Sequence, residues 1–173
     1  RAGMPVYQLL GGKCREAAAC YAHAGGSCRE EVVDSIRAFM EEGYRHIRVQ
    51  LGGYGGLSSA LTRPDGAQDG AYFDPRGYVR AHLQLFEYVR QQVGDEVELL
   101  HDIHERLTPI DAVGFASDVE RFKLFFLEDP LAPEDLEWFH SIRQQCSTPI
   151  AMGELFNNPR EWQPLIAGRL IDF

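Results

Sequence analysis

Val97-Glu98-Leu99-Leu100-His101-Asp102 is a short run rich in apolar residues that ends on a carboxylate. Leu124-Phe125-Phe126-Leu127-Glu128 and Pro149-Ile150-Ala151-Met152-Gly153-Glu154 repeat the pattern. Each run reads as a buried strand, Val97–His101, Leu124–Leu127 and Pro149–Met152. Each leads into a helical stretch. Thr108-Pro109-Ile110-Asp111 caps the first, Leu136, Phe139 and Ile142 face the core in the second, and Asn158-Pro159-Arg160-Glu161 opens a third that stops at Gly168. Strands alternating strictly with helices imply a parallel sheet with the helices outside it.

The same alternation extends outward. The apolar run Ala18–His23 reads as the first strand. Ser27 and Glu30 have the spacing of a capping box before a helix with Val32, Val33, Ile36, Phe39 and Met40 on one face, stopped by Gly43. His46–Gln50 is the second strand. A polar, glycine-rich stretch follows from Leu51 to Phe73, and loops of that length in a compact domain usually carry function or are disordered. Asp74-Pro75 opens a helix with Tyr78, Val79, Leu83, Phe86 and Val89 on its inner face, ending at Gly94. Leu170–Phe173 reads as a last strand. No Gly-x-Gly-x-x-Gly follows the first strand, which removes the main pointer to a doubly wound dinucleotide fold. The expectation is α/β, a parallel β/α barrel with about six of the eight strands such a barrel needs over roughly 250 residues. These residues alone are expected to expose strand edges and to be inactive.

The chain has 173 residues with a formal net charge of −9. That balance argues against nucleic acid and an anionic membrane surface as partners. No run is long and apolar enough for a membrane span, and no charged-then-apolar leader is read, so no secretory signal is expected. The cysteines Cys14, Cys20, Cys28 and Cys146 form no C-x-x-C pair, so reduced thiols and a cytoplasmic location are expected, with Cys20 in the core.

Asp102, Glu128 and Glu154 are each separated by 26 residues, so each holds the same place in its strand–helix unit. In a parallel barrel that place is the C-terminal rim, where active sites lie. A lone acid at a strand end usually caps a helix or covers surface. Three in phase converge, repel one another, and call for a cation. An all-oxygen donor set suits Mg²⁺, whereas Zn²⁺ recruits His or Cys. Asp129 would point to the opposite side of the strand and is assigned to packing or capping. His104, two residues past Asp102, would share its side of an extended strand. Arg48 and Gln50 share a face of the second strand.

Leu100-His101-Asp102-Ile103-His104-Glu105-Arg106-Leu107, Phe126-Leu127-Glu128-Asp129-Pro130 and Pro149-Ile150-Ala151-Met152-Gly153-Glu154-Leu155-Phe156-Asn157 resemble the enolase superfamily, with its mandelate racemase/muconate lactonizing enzyme type of barrel. Within it the His-Asp-Ile-His segment is similar to the mannonate dehydratase group, which includes gluconate dehydratase-like members. The resemblance covers essentially the whole chain. It implies that residues 1–13 connect a missing capping domain to the barrel of residues 14–173. It implies Mg²⁺ on Asp102, Glu128 and Glu154, holding a sugar-acid carboxylate while the proton alpha to it leaves and an ene-diolate forms. Loss of the 3-hydroxyl then gives a 2-keto-3-deoxy sugar acid. By the same resemblance His104 is the general acid, and Arg48 works with a loop tyrosine as the base. Here the sequence departs from the pattern: the position twelve residues past Arg48 is Ala60. Tyr54 and Tyr72 are the loop tyrosines that can take the role, with Gln50 and Tyr72 beside the substrate. A homo-oligomer is implied at full length.

Three other readings compete. A racemase or epimerase of the same superfamily keeps the metal, but the second strand has no lysine. A binding homologue without turnover is favoured by the displaced tyrosine. A Zn²⁺ hydrolase using His101 and His104 ranks last, because residues three apart do not share a strand face.

Overall fold

The computed structural model describes residues 2–52, 65–66 and 73–173. In chain order it contains α1 (Val6–Leu9), β1 (Ala22–Gly26), α2 (Arg29–Glu41), β2 (His46–Leu51), α3 (Pro75–Val93), β3 (Glu98–Asp102), α4 (Pro109–Asp118), β4 (Phe126–Glu128), α5 (Leu136–Gln145), β5 (Ile150–Ala151) and α6 (Pro159–Ala167). The strands form one parallel sheet in the order β1-β2-β3-β4-β5. Sequential order with a helix in each crossover is the arrangement of a barrel wall. Among the described residues five strands are assigned, against six expected. Residues 170–173 are not one of them, yet the Asp172 and Phe173 N–H groups donate to the Ile150 carbonyl, and Met152 N–H donates to Phe173. The backbone there lies alongside β5 without completing a strand.

Register sorts the side chains into two faces. His23 is opposite Arg48, Arg48 opposite Leu100, and Leu100 opposite Phe126. One step nearer the rim, Gly25 is opposite Gln50, Asp102 opposite Glu128, and Glu128 opposite Ala151. This is the inner face. The alternate residues Ala24, Ile47, Val49, Leu99, Leu127 and Ile150 are buried against the helices. Val32, Val33 and Ile36 of α2, Leu85, Phe86 and Val89 of α3, and Phe139 and Ile142 of α5 supply the opposing side. Each such large side chain contributes about 1.5–3 kcal/mol relative to exposure. Leu100, Phe126 and Ala151 form a separate small cluster on the inner face.

The helix boundaries show where sequence patterns are read correctly and where they slip. Asn158 forms the expected cap of α6 in a capping box with Glu161. At α2 the N-cap is Cys28, not Ser27, and Ser27 instead bonds the Glu31 carboxylate through its N–H (2.7 Å) and hydroxyl (2.6 Å). The reason is β1, which pairs from Ala22 to Gly26 rather than over Ala18–His23 and delays the helix by a residue. Gly26 permits that tight entry, because a Cβ there would lie 2.6 Å from the Glu31 Cβ. Cys20, upstream of the true strand, is exposed and not core. Gly43, at φ 97°, supplies the left-handed residue that ends α2. No helix among the described residues is long and apolar enough to cross a membrane.

Two histidines lie inside this core, His82 on α3 and His101 on β3, both with 0% exposure. Burial pushes His82 down to about 4, partly opposed by its bond to the Tyr78 carbonyl. Its folded pKa lies below the ordinary 6.5, so the unfolded chain binds the extra proton between those values. Stability from His82 is therefore complete above the unfolded pKa and is lost as pH falls through the window toward about 4, by at most about 3 kcal/mol. The expected result is a melting-temperature gap between wild type and His82→Gln that shrinks from about pH 7 to about pH 4.5. A gap that stays constant would exclude this titration.

Candidate active site

The rim of β2, β3 and β4 gathers the charged residues that the spacing of the sequence singled out. Asp102 ends β3 with 1% exposure and Glu128 ends β4 directly opposite it. Arg48 comes from the inner face of β2, and its Nη1 lies 2.9 Å from Asp102 Oδ2 in a buried ion pair. Charge-assisted bonds of this kind orient both partners. His104 Nδ1 lies 3.5 Å from Asp102 Oδ2 and 3.3 Å from Glu154 Oε1, so one imidazole spans two carboxylates. Glu154 is the most open of the three acids, with a half-exposed side chain beyond β5.

His104 reaches this position by a different route from an extended strand. β3 ends at Asp102, and His104 and Glu105 both adopt left-handed backbone, at φ 58° and 55°. Two consecutive non-glycine residues in that region are sterically costly and persist only where the surroundings hold them. Here Ile103 N–H donates to the Glu128 carbonyl (3.0 Å) and Glu105 N–H to the Asp129 carbonyl (2.9 Å). The neighbouring strand end thus folds the loop back over the rim.

Asp129 is the residue whose place the sequence misjudged. It is 0% exposed, at φ 43°, and its carboxylate reaches within 4.8 Å of ligand atoms of Asp102 and His104. Strand alternation sends residue 129 away from Glu128, but β4 has already ended at Glu128 and the left-handed turn reverses the direction. Burial first, then the charges of Asp102, Glu128, Glu154 and Glu105, push Asp129 up to about 7. Burial followed by the Asp102 charge also raises Glu128, against the opposing pull of Arg48. Both shifts have the sign expected where burial and neighbouring negative charge disfavour the ionised form.

The other candidates divide. Gln50 is buried, and neither its amide nitrogen nor its amide oxygen has a hydrogen-bond partner among the described residues. Tyr54, Ala60 and Tyr72 lie outside the described residues. His101 faces the helices rather than the rim, donating from Nδ1 to the Val49 carbonyl at 2.8 Å. His23 faces the same side as Arg48, whose charge, after burial, lowers its pKa. Tyr21 stacks on His23 with ring centroids 5.3 Å apart, and its pKa is raised by burial and then by Glu128. Period-two alternation within β1 puts His23 on the side opposite Ala22 and Ala24, which face the helices.

The residues present suit a hard cation. Glu128 Oε2 is buried without a hydrogen-bond partner among the described residues, as are both oxygens of Asp129. Unmet buried acceptors beside other carboxylates are the condition a divalent cation relieves.

The family model described as enolase C-terminal domain-like matches residues 31–173. The chain belongs to this family. Its sheet is accordingly part of the enolase-superfamily barrel-like C-terminal domain, with five parallel strands described. The D-galactonate dehydratase family member RspA of Pantoea ananatis (strain LMG 20103) is 50% identical over 190 residues, covering 100% of this chain and 46% of the relative. A D-galactonate dehydratase family member of Enterocloster bolteae is 49% identical over 176 residues, covering 99% of this chain and 44% of its own length. Among solved structures, the crystal structure of an enolase from Pantoea ananatis with bound D-gluconate and Mg matches with a TM-score of 0.90 at 49% identity, over 99% of this chain and 45% of that one. The chain spans about half the length of the curated relatives it matches. In this enolase-type frame the rim of β3 to β5 is the end at which the acids stand.

Proposed function

We propose that this chain contributes the metal-binding half of a Mg²⁺-dependent acid-sugar dehydratase. The observation that carries the reading is the in-phase set of strand-end acids, with an unmet buried oxygen on Glu128. Asp102, Glu128 and Glu154 would hold the ion. A more compact donor set, Asp102, His104 and Asp129, overlaps it at Asp102. The all-oxygen set is preferred because a hard cation selects carboxylates over imidazole.

Mg²⁺, when bound, supplies fixed positive charge to the substrate carboxylate as the α-proton leaves. Every other step belongs to side chains. Arg48, fixed by Asp102, presents positive charge on the inner face of β2. A tyrosine of the sequence between β2 and α3, Tyr54 or Tyr72, takes the C2 proton, its phenolate stabilised by the arginine. His104 donates a proton to the departing 3-hydroxyl, so that the C3–O bond breaks and water leaves. The Gln50 amide, with unmet donor and acceptor atoms, is suited to hold a substrate hydroxyl. The enol then ketonises to the 2-keto-3-deoxy acid. The substrate is a mannonate- or gluconate-type acid; relatives named for D-galactonate and a neighbour holding D-gluconate support that class. A homo-oligomer and a cytoplasmic location belong to the same reading, and activity is assigned to a protein of the relatives' length, not to these residues alone.

The test is turnover of D-mannonate, D-gluconate and D-galactonate by that longer protein, with Mg²⁺ or with EDTA. His104→Gln is expected to lower dehydration by about 10²–10⁴-fold while leaving exchange of the C2 proton with D₂O measurable. Loss of both together would remove His104 from the acid role. Ala60, where the pattern expects tyrosine, keeps a second reading open, a homologue that binds metal and ligand without turnover. That reading requires Mg²⁺-dependent stabilisation with neither dehydration nor C2 exchange.

A further inference from the structure

The hydrogen bonds between β2 and β3 stop short of the rim. The β2–β3 register ends at Arg48 opposite Leu100, whereas β3–β4 continues to Asp102 opposite Glu128 and β1–β2 to Gly26 opposite Leu51. The end of β2, which carries Gln50, therefore runs past the last residue paired with β3. Two buried histidines take over there. His101 Nδ1 lies 2.8 Å from the Val49 carbonyl oxygen, and the Leu51 N–H points to His82 Nε2 at a longer 3.5 Å. Tyr78 ties the two together: its hydroxyl is 2.8 Å from His101 Nε2, and its carbonyl is 2.9 Å from His82 Nδ1. The imidazole centroids are 4.6 Å apart, and Phe86 meets His101 edge-on at 5.2 Å.

These contacts dictate the protons. A carbonyl oxygen only accepts, so both Nδ1 atoms carry hydrogen. Burial keeps both rings neutral, so His82 Nε2 accepts from the Leu51 N–H and His101 Nε2 from the Tyr78 hydroxyl, which also lies 3.5 Å from the Asp102 carbonyl oxygen. A pair of ordinary core histidines would need only satisfied nitrogens. This pair is attached instead to the backbone of the strand bearing Arg48 and Gln50, and His101 adjoins Asp102 in sequence. An apolar residue could fill the same volume but would leave the Val49 carbonyl unbonded.

We propose that His101 and His82 are positioning residues, a buried clamp that replaces the β2–β3 ladder at the rim and sets Arg48 and Gln50 against Asp102. The metal-affinity and turnover measurements below rest on the proposed function, and the tautomer and exchange measurements do not. Partners behind metal ligands commonly change metal affinity or activity by about 10–100-fold when removed.

The experiment uses the protein at the length of its relatives. ¹⁵N-histidine NMR at neutral pH is expected to show two Nδ1-protonated neutral rings, with Tyr78→Phe shifting the His101 Nε2 resonance. An Nε2-protonated His101 would overturn the clamp. His101→Phe, folded by circular dichroism, is expected to weaken Mg²⁺ in calorimetric titration by about tenfold or more and to lower kcat more than it raises KM. His101→Asn, which restores a donor at the δ position, should recover most of both. Wild-type Mg²⁺ affinity and kcat in His101→Phe would also overturn the proposal. Should His101→Phe fail to fold, Tyr78→Phe carries the same measurements with a smaller effect of the same sign. Should wild type show neither Mg²⁺ binding nor turnover, the proposed function fails, and amide exchange decides the clamp. His82→Phe and His101→Phe must then speed exchange at Leu51 by about tenfold or more over wild type, and unchanged exchange overturns it.

Discussion

Glu128→Gln, in the protein at the length of its relatives, is expected to abolish Mg²⁺-dependent dehydration, with kcat/KM falling by about 10³-fold or more. A bound metal contributes several kcal/mol of charge stabilisation, and about 1.4 kcal/mol corresponds to tenfold in rate. Glu128 sits opposite Asp102, with one oxygen buried and unmet among the described residues. Its amide replacement preserves shape while removing half of that pairing's negative charge. The same substitution has the opposite sign for metal-free stability. Burial and the Asp102 charge already raise the Glu128 pKa, so its ionised form opposes folding near neutrality. Glu128→Gln should therefore melt above the metal-free wild type, by about 1 °C per kcal/mol relieved at that length. The two readouts cross: without metal the variant is more stable, and with Mg²⁺ only the wild type gains. A variant that still gains melting temperature from Mg²⁺ as wild type does would remove Glu128 from the ligand set. Since acidification also relieves the repulsion, the metal-free gap should narrow as pH falls and Glu128 protonates.

Much of this is legible from the sequence because parallel strand–helix units repeat the same physical demands. An apolar run, a polar residue at its end and a capped helix recur with one spacing, and Asp102, Glu128 and Glu154 announce the rim. What was not legible falls where the chain leaves regular structure. Alternation holds only while a strand lasts. It failed for Asp129, one residue beyond β4, and gave the right neighbourhood for His104 through an extended geometry that the backbone does not adopt. Left-handed residues at positions 104, 105 and 129 have no glycine to advertise them. The start of β1 was misplaced because the alanine-rich run from Ala18 has suitable polarity without a pairing partner in the sheet. Register against β2, a non-local fact, begins only at Ala22. The histidine clamp was out of reach for the same reason: His82 and His101 are separated by most of a helix and a turn, and their shared partner Tyr78 is read from the sequence as an ordinary core aromatic.

Arg48→Met is expected to destabilise the fold by up to about 3–5 kcal/mol, the cost of removing the guanidinium from a buried ion pair, with His104 still 3.5 Å from the Asp102 carboxylate. The Arg48 guanidinium and Asp102 carboxylate are 2.9 Å apart, with side-chain exposures of 10% and 1%. Neither can recover its hydration without opening the rim. The pair itself need not be strongly stabilising, because desolvating both charges offsets much of their attraction. Arg48→Met/Asp102→Leu should therefore lie closer to wild type in denaturant midpoint than Arg48→Met alone. The coupling read from the cycle with Asp102→Leu should be large and favourable. Mg²⁺ adds a term that a purely structural pair would lack. If Asp102 is a ligand, the ion replaces the positive charge that Arg48→Met removes, and saturating Mg²⁺ should restore a sizeable share of the lost stability. In Arg48→Met/Asp102→Leu it should restore little. Equal Mg²⁺ effects in the two variants would mean that Asp102 serves only to hold Arg48. Unequal effects would mean that one carboxylate does both, which is why a strand buried on its helix-facing side carries a charge at its end at all.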